Sequence, residues 1–203
     1  MLRVDNLLLN IKTKYSNMHQ IIIFGPPGVG KGTQAQLISE KLNIFHLSTG
    51  EVLRESAAKK TELGLKAMKI MDRGQLVTDD IMIGIVREAL LNGSGSESNG
   101  FILDGFPRTV EQAKALTVIF NEFGYSDVKV IYLDTDEDEL LRRLLKRGRS
   151  DDNELTIRNR LKIYKEQTYP VIEYYKNIYN TLKIDGLGEI EDINKDILES
   201  LIV

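Results

Sequence analysis

Apolar positions along this chain fall into two alternating rhythms. Short runs rich in β-branched residues read as strands: Gln20–Phe24, Ile44–Leu47, Phe101–Asp104, Val128–Leu133 and Thr181–Asp185. Between them lie stretches with an apolar residue every three or four places, such as Val110, Ala113, Leu116, Phe120 and Phe123, which read as helices burying one face. Strand runs that are apolar at consecutive positions are covered on both faces, and crossover helices supply the cover. The pattern predicts an α/β fold of three layers around a five-stranded parallel sheet, with ligands bound at the carboxyl ends of the strands.

Residues 1–17 form an N-terminal extension in which Val4, Leu7, Leu8 and Ile11 keep helical spacing before a polar stretch from Thr13 to Asn17. An acidic residue, a single Arg and no secretory pattern argue against a targeting peptide; Met18 is a candidate native start, since the first strand begins two residues later, and 18–203 reads as one domain. Asn92–Gly100, rich in Gly and Ser, reads as a surface loop. Pro170 lacks an amide hydrogen and predicts a kink or break near Tyr169.

Composition narrows the chemistry. The 203 residues, 42% hydrophobic and 28% charged, suit one globular domain, and no apolar run approaches the roughly 20 residues of a membrane span. Twenty-seven basic against thirty acidic residues give a net charge of −3, which argues against nucleic acid as a partner and requires any anionic ligand to be met by a local cluster. With no Cys, and only His19 and His46, thiol nucleophiles and zinc cages fall away. His46, at a strand end without a second ligand, reads as structural. A cysteine-free, near-neutral chain without an exposed apolar stripe is expected to be a cytoplasmic monomer.

The run Gly25-Pro-Pro-Gly28-Val29-Gly30-Lys31-Gly32-Thr33 follows a strand and opens a helix. Its backbone N–H groups and the helix N-terminus make a phosphate cradle, with Lys31 at the β/γ-phosphates and Thr33 at Mg²⁺ or a phosphate oxygen. A glycine-rich turn made for geometry alone is the alternative. Gly32 directly after Lys31 departs from the strict G-x-x-x-x-G-K-[ST] form. A guanine-reading N-K-x-D is missing, and Asn194-Lys195-Asp196 reads as a solvated helix face.

Ser48-x-x-Glu51 and Thr109-x-x-Gln112 fit the capping-box pattern, and Ser48 reads mainly as a cap. Gln112 also offers a donor beside an acceptor, the pairing that adenine requires. Asp104 ends a buried strand, where a carboxylate needs partners. Of eleven arginines, six lie between 142 and 160, and Arg143 and Arg147 share a helix face. Such a run is a solvated surface or a landing place for anions. Helical geometry does not choose between Arg158 and Arg160.

The phosphate loop, Leu47–Arg54, Gly74–Asp79 and Gly100–Thr109 with Gln112 resemble the adenylate kinases among the nucleoside monophosphate kinases, in order and spacing, over residues 20 to about 190. The resemblance implies a P-loop kinase with a helical NMP-binding insertion at 48–77 and a very short lid at 146–153. The implied reaction is Mg-ATP + AMP ⇌ 2 ADP, which maintains adenine nucleotide balance. It implies ATP contacts at Gly28, Val29, Gly30, Lys31, Gly32, Thr33, Arg143, Arg147 and Gly188. AMP would meet Thr49, Arg54, Gln75, Leu76, Val77, Gly105, Phe106, Pro107, Arg108, Gln112, Arg149 and Arg160. Lys31, Arg108, Arg147, Arg149 and Arg160 would be catalytic, Asp151 and Asp152 would orient the arginines, and Thr33 and Asp104 would meet Mg²⁺ through water. No zinc is implied.

Two other readings stand beside this one. A UMP/CMP kinase resembles it closely but typically carries Ala at the position of Thr49 and an Asn-containing variant after the Phe-Pro-Arg. A nucleotide-binding regulatory protein without turnover is the other, because Arg147-Gly148-Arg149 leaves a shorter lid than the family's.

Overall fold

A computed structural model describes residues 18–93, 99–149 and 152–201. The expectations placed on residues 1–17, on most of the 92–100 loop and on Asp151 lie outside the described residues. The five strands are β1 (His19–Phe24), β2 (Phe45–Ser48), β3 (Gly100–Asp104), β4 (Val128–Asp134) and β5 (Asn180–Asp185). All pair in parallel, in the order β2-β3-β1-β4-β5. The helices are α1 (Lys31–Leu42), α2 (Thr49–Ala58), α3 (Glu62–Met71), α4 (Asp79–Gly93), α5 (Val110–Phe123), α6 (Glu137–Arg147), α7 (Glu154–Ile163), α8 (Tyr169–Lys176) and α9 (Ile190–Leu201).

The period of two along each strand divides the core between the two faces of the sheet. Ile22, Phe24, Leu103, Val130 and Tyr132 join a cluster with α4, α5 and α8, whereas Ile21, Ile23, Ile102, Ile131 and Leu133 join one with α1, α6, α7 and α9. Side-chain caps fix several helix starts: the Thr109 hydroxyl accepts from Gln112 N at 3.1 Å and the Asn153 carbonyl from Thr156 N at 2.9 Å. Ser48 does not cap α2; its Oγ donates to Asp104 Oδ2 at 3.4 Å. The carboxylate across the sheet competes successfully for a hydroxyl that local sequence assigns to the helix.

Two further expectations change. The helix does not break at Pro170, because α7 runs through a π turn at Tyr164–Thr168 directly into α8. Tyr169 N–H bonds to the Tyr164 carbonyl, five residues back, and Pro170 falls in the first turn of α8, where a missing N–H is tolerated. Asn194 is not solvated. It is buried between α9 and α1, donating to Gln34 Oε1 at 3.0 Å and accepting from Lys41 Nζ at 2.7 Å.

The segment after β2 is a helical hairpin of α2 and α3. At its crossing a Cβ on Gly64 would meet Ala57 N at 2.2 Å, so the two helices touch backbone to backbone. Only residues 148–153 separate α6 from α7.

Candidate active site

The carboxyl ends of the strands open into one cleft of about 880 Å³. The phosphate loop forms its floor. Gly28 holds a left-handed φ of 90°, and a Cβ there would sit 2.8 Å from Leu144 Cγ, so the loop lies directly against α6. Gly30 caps α1 in the left-handed conformation, aiming the first amides of that helix into the cleft. Lys31 Nζ donates to Pro26 O at 2.9 Å, spanning the loop it belongs to. Burial pushes its ammonium down to about 8; Asp104 opposes the shift, while Arg108, Arg147 and Arg160 add to it. Three arginines therefore share the cleft with Lys31 and stand near enough to press on its charge.

A small cavity of about 30 Å³ adjoins the cleft, lined by Thr49, Gly50, Leu53, Met71, Gln75, Leu76, Val77, Met82, Gly105, Arg108 and Gln112. Gln112, itself buried, accepts from Arg108 N at 2.7 Å and donates to Asp79 Oδ1 at 2.7 Å. Arg108 Nε bonds the Gly105 carbonyl at 2.8 Å, and Thr168 Oγ1 bonds the Arg108 carbonyl at 3.0 Å. The peptide bond before Pro107 is cis. Arg54 folds back over Gly50 and lies near enough to press on the charge of Arg108.

On the facing wall two carboxylates moor the arginines. Asp152, with no exposed side-chain surface, receives Arg147 Nε and Nη2 at 2.8 and 2.7 Å, Arg160 Nη1 at 3.2 Å and the Arg149 amide at 3.2 Å. Its burial is the largest single influence and works against ionisation, but the hydrogen bonds and charge of Arg147, the Arg149 amide and the charge of Arg160 together outweigh it and hold the carboxyl below its ordinary value. Glu139 grips Arg142 and Arg143, and these hydrogen bonds, Arg142 first, hold its carboxyl down at about 2. Arg143 Nη1 also reaches the Gly186 carbonyl at 2.9 Å and the Val29 carbonyl at 3.4 Å.

Every residue that the sequence assigns to ATP, AMP or Mg²⁺ lines the cleft or the small cavity; Thr49, Val77 and Gln112 line the cavity alone, and Asp152 stands behind the arginines it orients. Arg160 faces the cleft and is 17% exposed, while Arg158 points outward, 60% exposed and paired with Glu154. Nine cationic side chains and four carboxylates line the cleft of a chain whose net charge is −3. A pocket so charged takes polyanions.

The family model described as adenylate kinase matches residues 23–180. This chain belongs to the adenylate kinase family. Among similar proteins, an adenylate kinase of Leptospira biflexa is 50% identical over 188 residues, covering 91% of this chain and 100% of that protein. One from Bacteroides fragilis is 47% identical over 91% of this chain and 98% of its own length, and one from Corynebacterium urealyticum is 46% identical over 90% and 98%.

Three contributors to this adenylate kinase site escape sequence reasoning. Glu139, in the first turn of α6, went unnoticed, and its i,i+3 and i,i+4 relation to Arg142 and Arg143 was the available signal. Asp79 ends the Gly74–Asp79 stretch, where the sequence gives it no role of its own, yet at the start of α4 it holds Gln112. Thr168, buried at the end of the π turn, reaches the Arg108 carbonyl from 60 residues away in sequence, which no local pattern signals.

Proposed function

We propose that this protein transfers the γ-phosphoryl group of Mg-ATP to AMP, reversibly, giving two ADP and keeping the adenine nucleotides in balance. The observation that carries this reading is that Lys31, Arg108, Arg147 and Arg160 line one cleft with the phosphate loop, and that Arg108 also lines the small cavity beside it.

ATP phosphates lie on Gly28, Val29, Gly30, Gly32 and Thr33, and Lys31 Nζ exchanges the Pro26 carbonyl for β/γ oxygens. Arg143 packs on the donor adenine beside the segment at Gly188. Thr49, the backbone of Gln75–Val77, and Gln112 receive the AMP base, while Gly105–Pro107 line its pocket. Arg54, Arg108 and Arg160 take its phosphate in the bidentate geometry of a guanidinium fork. Arg147 and Arg149 meet the transferring group.

Two like charges about 5 Å apart repel by roughly 3 kcal/mol at an effective dielectric near 20, and joining ATP to AMP creates several such pairs. The arginines offset that repulsion. The AMP phosphate oxygen is already anionic, so no general base is needed, and positioning with electrostatic stabilisation supplies the rate.

Mg²⁺ carried on ATP would neutralise phosphate charge and orient the phosphates for in-line transfer. The residues fit it: Thr33 stands exposed at the start of α1, and Asp104 Oδ2 lies 3.4 Å from where a Cβ on Gly32 would be, while the described residues include no cluster of three or more ligating side chains. Such an ion is held by phosphate and water, with Asp104 at its hydration shell. Transfer without hydrolysis requires water to be kept from the site, so the insertion at 48–77 and the short lid at 146–153 close over the bound nucleotides. The chain acts as a cytoplasmic monomer, which its charge balance and lack of Cys support and size-exclusion chromatography checks.

The test is ADP formation from Mg-ATP with AMP, CMP, UMP, GMP or no acceptor, alongside Lys31→Met. Rapid ADP production that needs AMP and Mg²⁺ is the expected result. Preference for CMP or UMP, or equal ADP without an acceptor, overturns it.

A further inference from the structure

Gln112 has two N–H donors and two carbonyl lone pairs, and rotation of its amide by half a turn exchanges them. A residue that reads a base with a donor beside an acceptor must therefore be told which way round to sit. Two neighbours give that instruction. Asp79 Oδ1, on a carboxylate that only accepts, lies 2.7 Å from Nε2, and the Arg108 amide, which only donates, lies 2.7 Å from Oε1. Turning the amide over would set oxygen against carboxylate and N–H against N–H, losing both bonds. The other Asp79 oxygen accepts from Thr109 Oγ1 at 3.0 Å, and that hydroxyl accepts from Gln112 N at 3.1 Å, so the carboxylate is itself held by the cap of α5.

We infer that Asp79 is a specificity-determining positioning residue, which fixes the polarity of Gln112 toward a 6-aminopurine. The two bonds leave Gln112 one N–H and one lone pair for a ligand in the cavity it lines. Adenine, with an acceptor at N1 and a donor at its 6-amino group, matches that pair. Hypoxanthine and guanine reverse it, with a donor at N1 and an acceptor at O6. A locked amide therefore rejects 6-oxopurine monophosphates, and a freed one turns over to serve them. The inference rests on the proposed role of Gln112 at the AMP base.

The experiment measures kcat/KM for AMP and IMP in the full chain with Asp79→Ala, Asp79→Asn and Gln112→Leu. In Asp79→Ala the AMP/IMP ratio narrows about tenfold, mainly through the KM values, while KM for ATP stays constant. Asp79→Asn keeps an acceptor oxygen and restores most of the ratio. An unchanged ratio in Asp79→Ala, when Gln112→Leu narrows it, overturns the inference alone. If Gln112→Leu leaves the ratio unchanged, the reading of Gln112 fails and takes the inference with it. In the unaltered protein, NMR should find one Gln112 Nε2 proton shifted downfield and exchanging slowly beside a faster partner, so the inference can still be tested if Asp79→Ala does not fold. Two protons exchanging equally fast overturn it.

Discussion

Along the phosphate loop the cleft is built from main chain: glycine turns and the first amides of α1, backed by the packing of Gly28 on α6. Along the arginine wall it is built from side chains, with Arg147, Arg160 and the Arg149 amide gathered on the single carboxylate of Asp152. The first bank inherits its geometry from the sheet and tolerates no substituent at Gly28. The second depends on long side chains whose freedom must be removed by hydrogen bonds. One bank is rigid by construction, and the other is ordered by two replaceable carboxylates, Asp152 and Glu139.

The largest effect tests the point where the banks meet. Lys31→Met should lower turnover by about a thousandfold, the scale of losing one preorganised charge at a transition state. Its thermal midpoint at pH 7 should be no lower than the wild type's. The folded ammonium titrates near 8 against an ordinary 10.5, so between those values the unfolded chain binds more protons and wild-type stability rises with pH. Any advantage of Lys31→Met at pH 7 therefore narrows by pH 10.5, and calorimetry across that range would detect a widening gap instead.

Arg160→Ala should reduce turnover about a hundredfold with little change in thermal midpoint. A variant that unfolds, with full activity in the folded remainder, would assign Arg160 to structure. Asp152→Asn sharpens the contrast between the banks: turnover falls about tenfold because the arginines lose their common anchor. The folded carboxyl lies below its ordinary value, so its stabilisation is present above the ordinary value and disappears as pH falls through the folded one. Denaturant titrations should thus separate wild type from Asp152→Asn at neutral pH and merge in acid. The smallest effect belongs to Thr49→Ala, which should raise the use of CMP and UMP relative to AMP by about two- to fivefold. An unchanged preference removes Thr49 from base selection.

The sheet was legible because buried parallel strands leave continuous apolar runs, and β1 through β5 lie within a residue or two of those runs. The phosphate loop was equally plain, since phosphate binding by backbone demands glycine at fixed places. What stayed hidden depended on partners far away in sequence. Ser48 looked like a cap until Asp104 stood opposite it, and Asp79, the last residue of the Gly74–Asp79 stretch, had no role of its own until Gln112 lay within reach. The choice between Arg158 and Arg160 was undecidable from helix angles alone, because packing against the cleft sets the rotation.

The π turn between α7 and α8 has a consequence of phase. Upstream of it Arg160 faces the cleft, and downstream Tyr175 is fully buried against the sheet. One residue removed from Tyr164–Thr168 would rotate everything beyond it by about 100° relative to everything before it. No single rotation of an unbroken helix then satisfies both ends. The surplus residue acts as a phase shifter, letting one continuous rod point its guanidinium at phosphates and its tyrosine at the core.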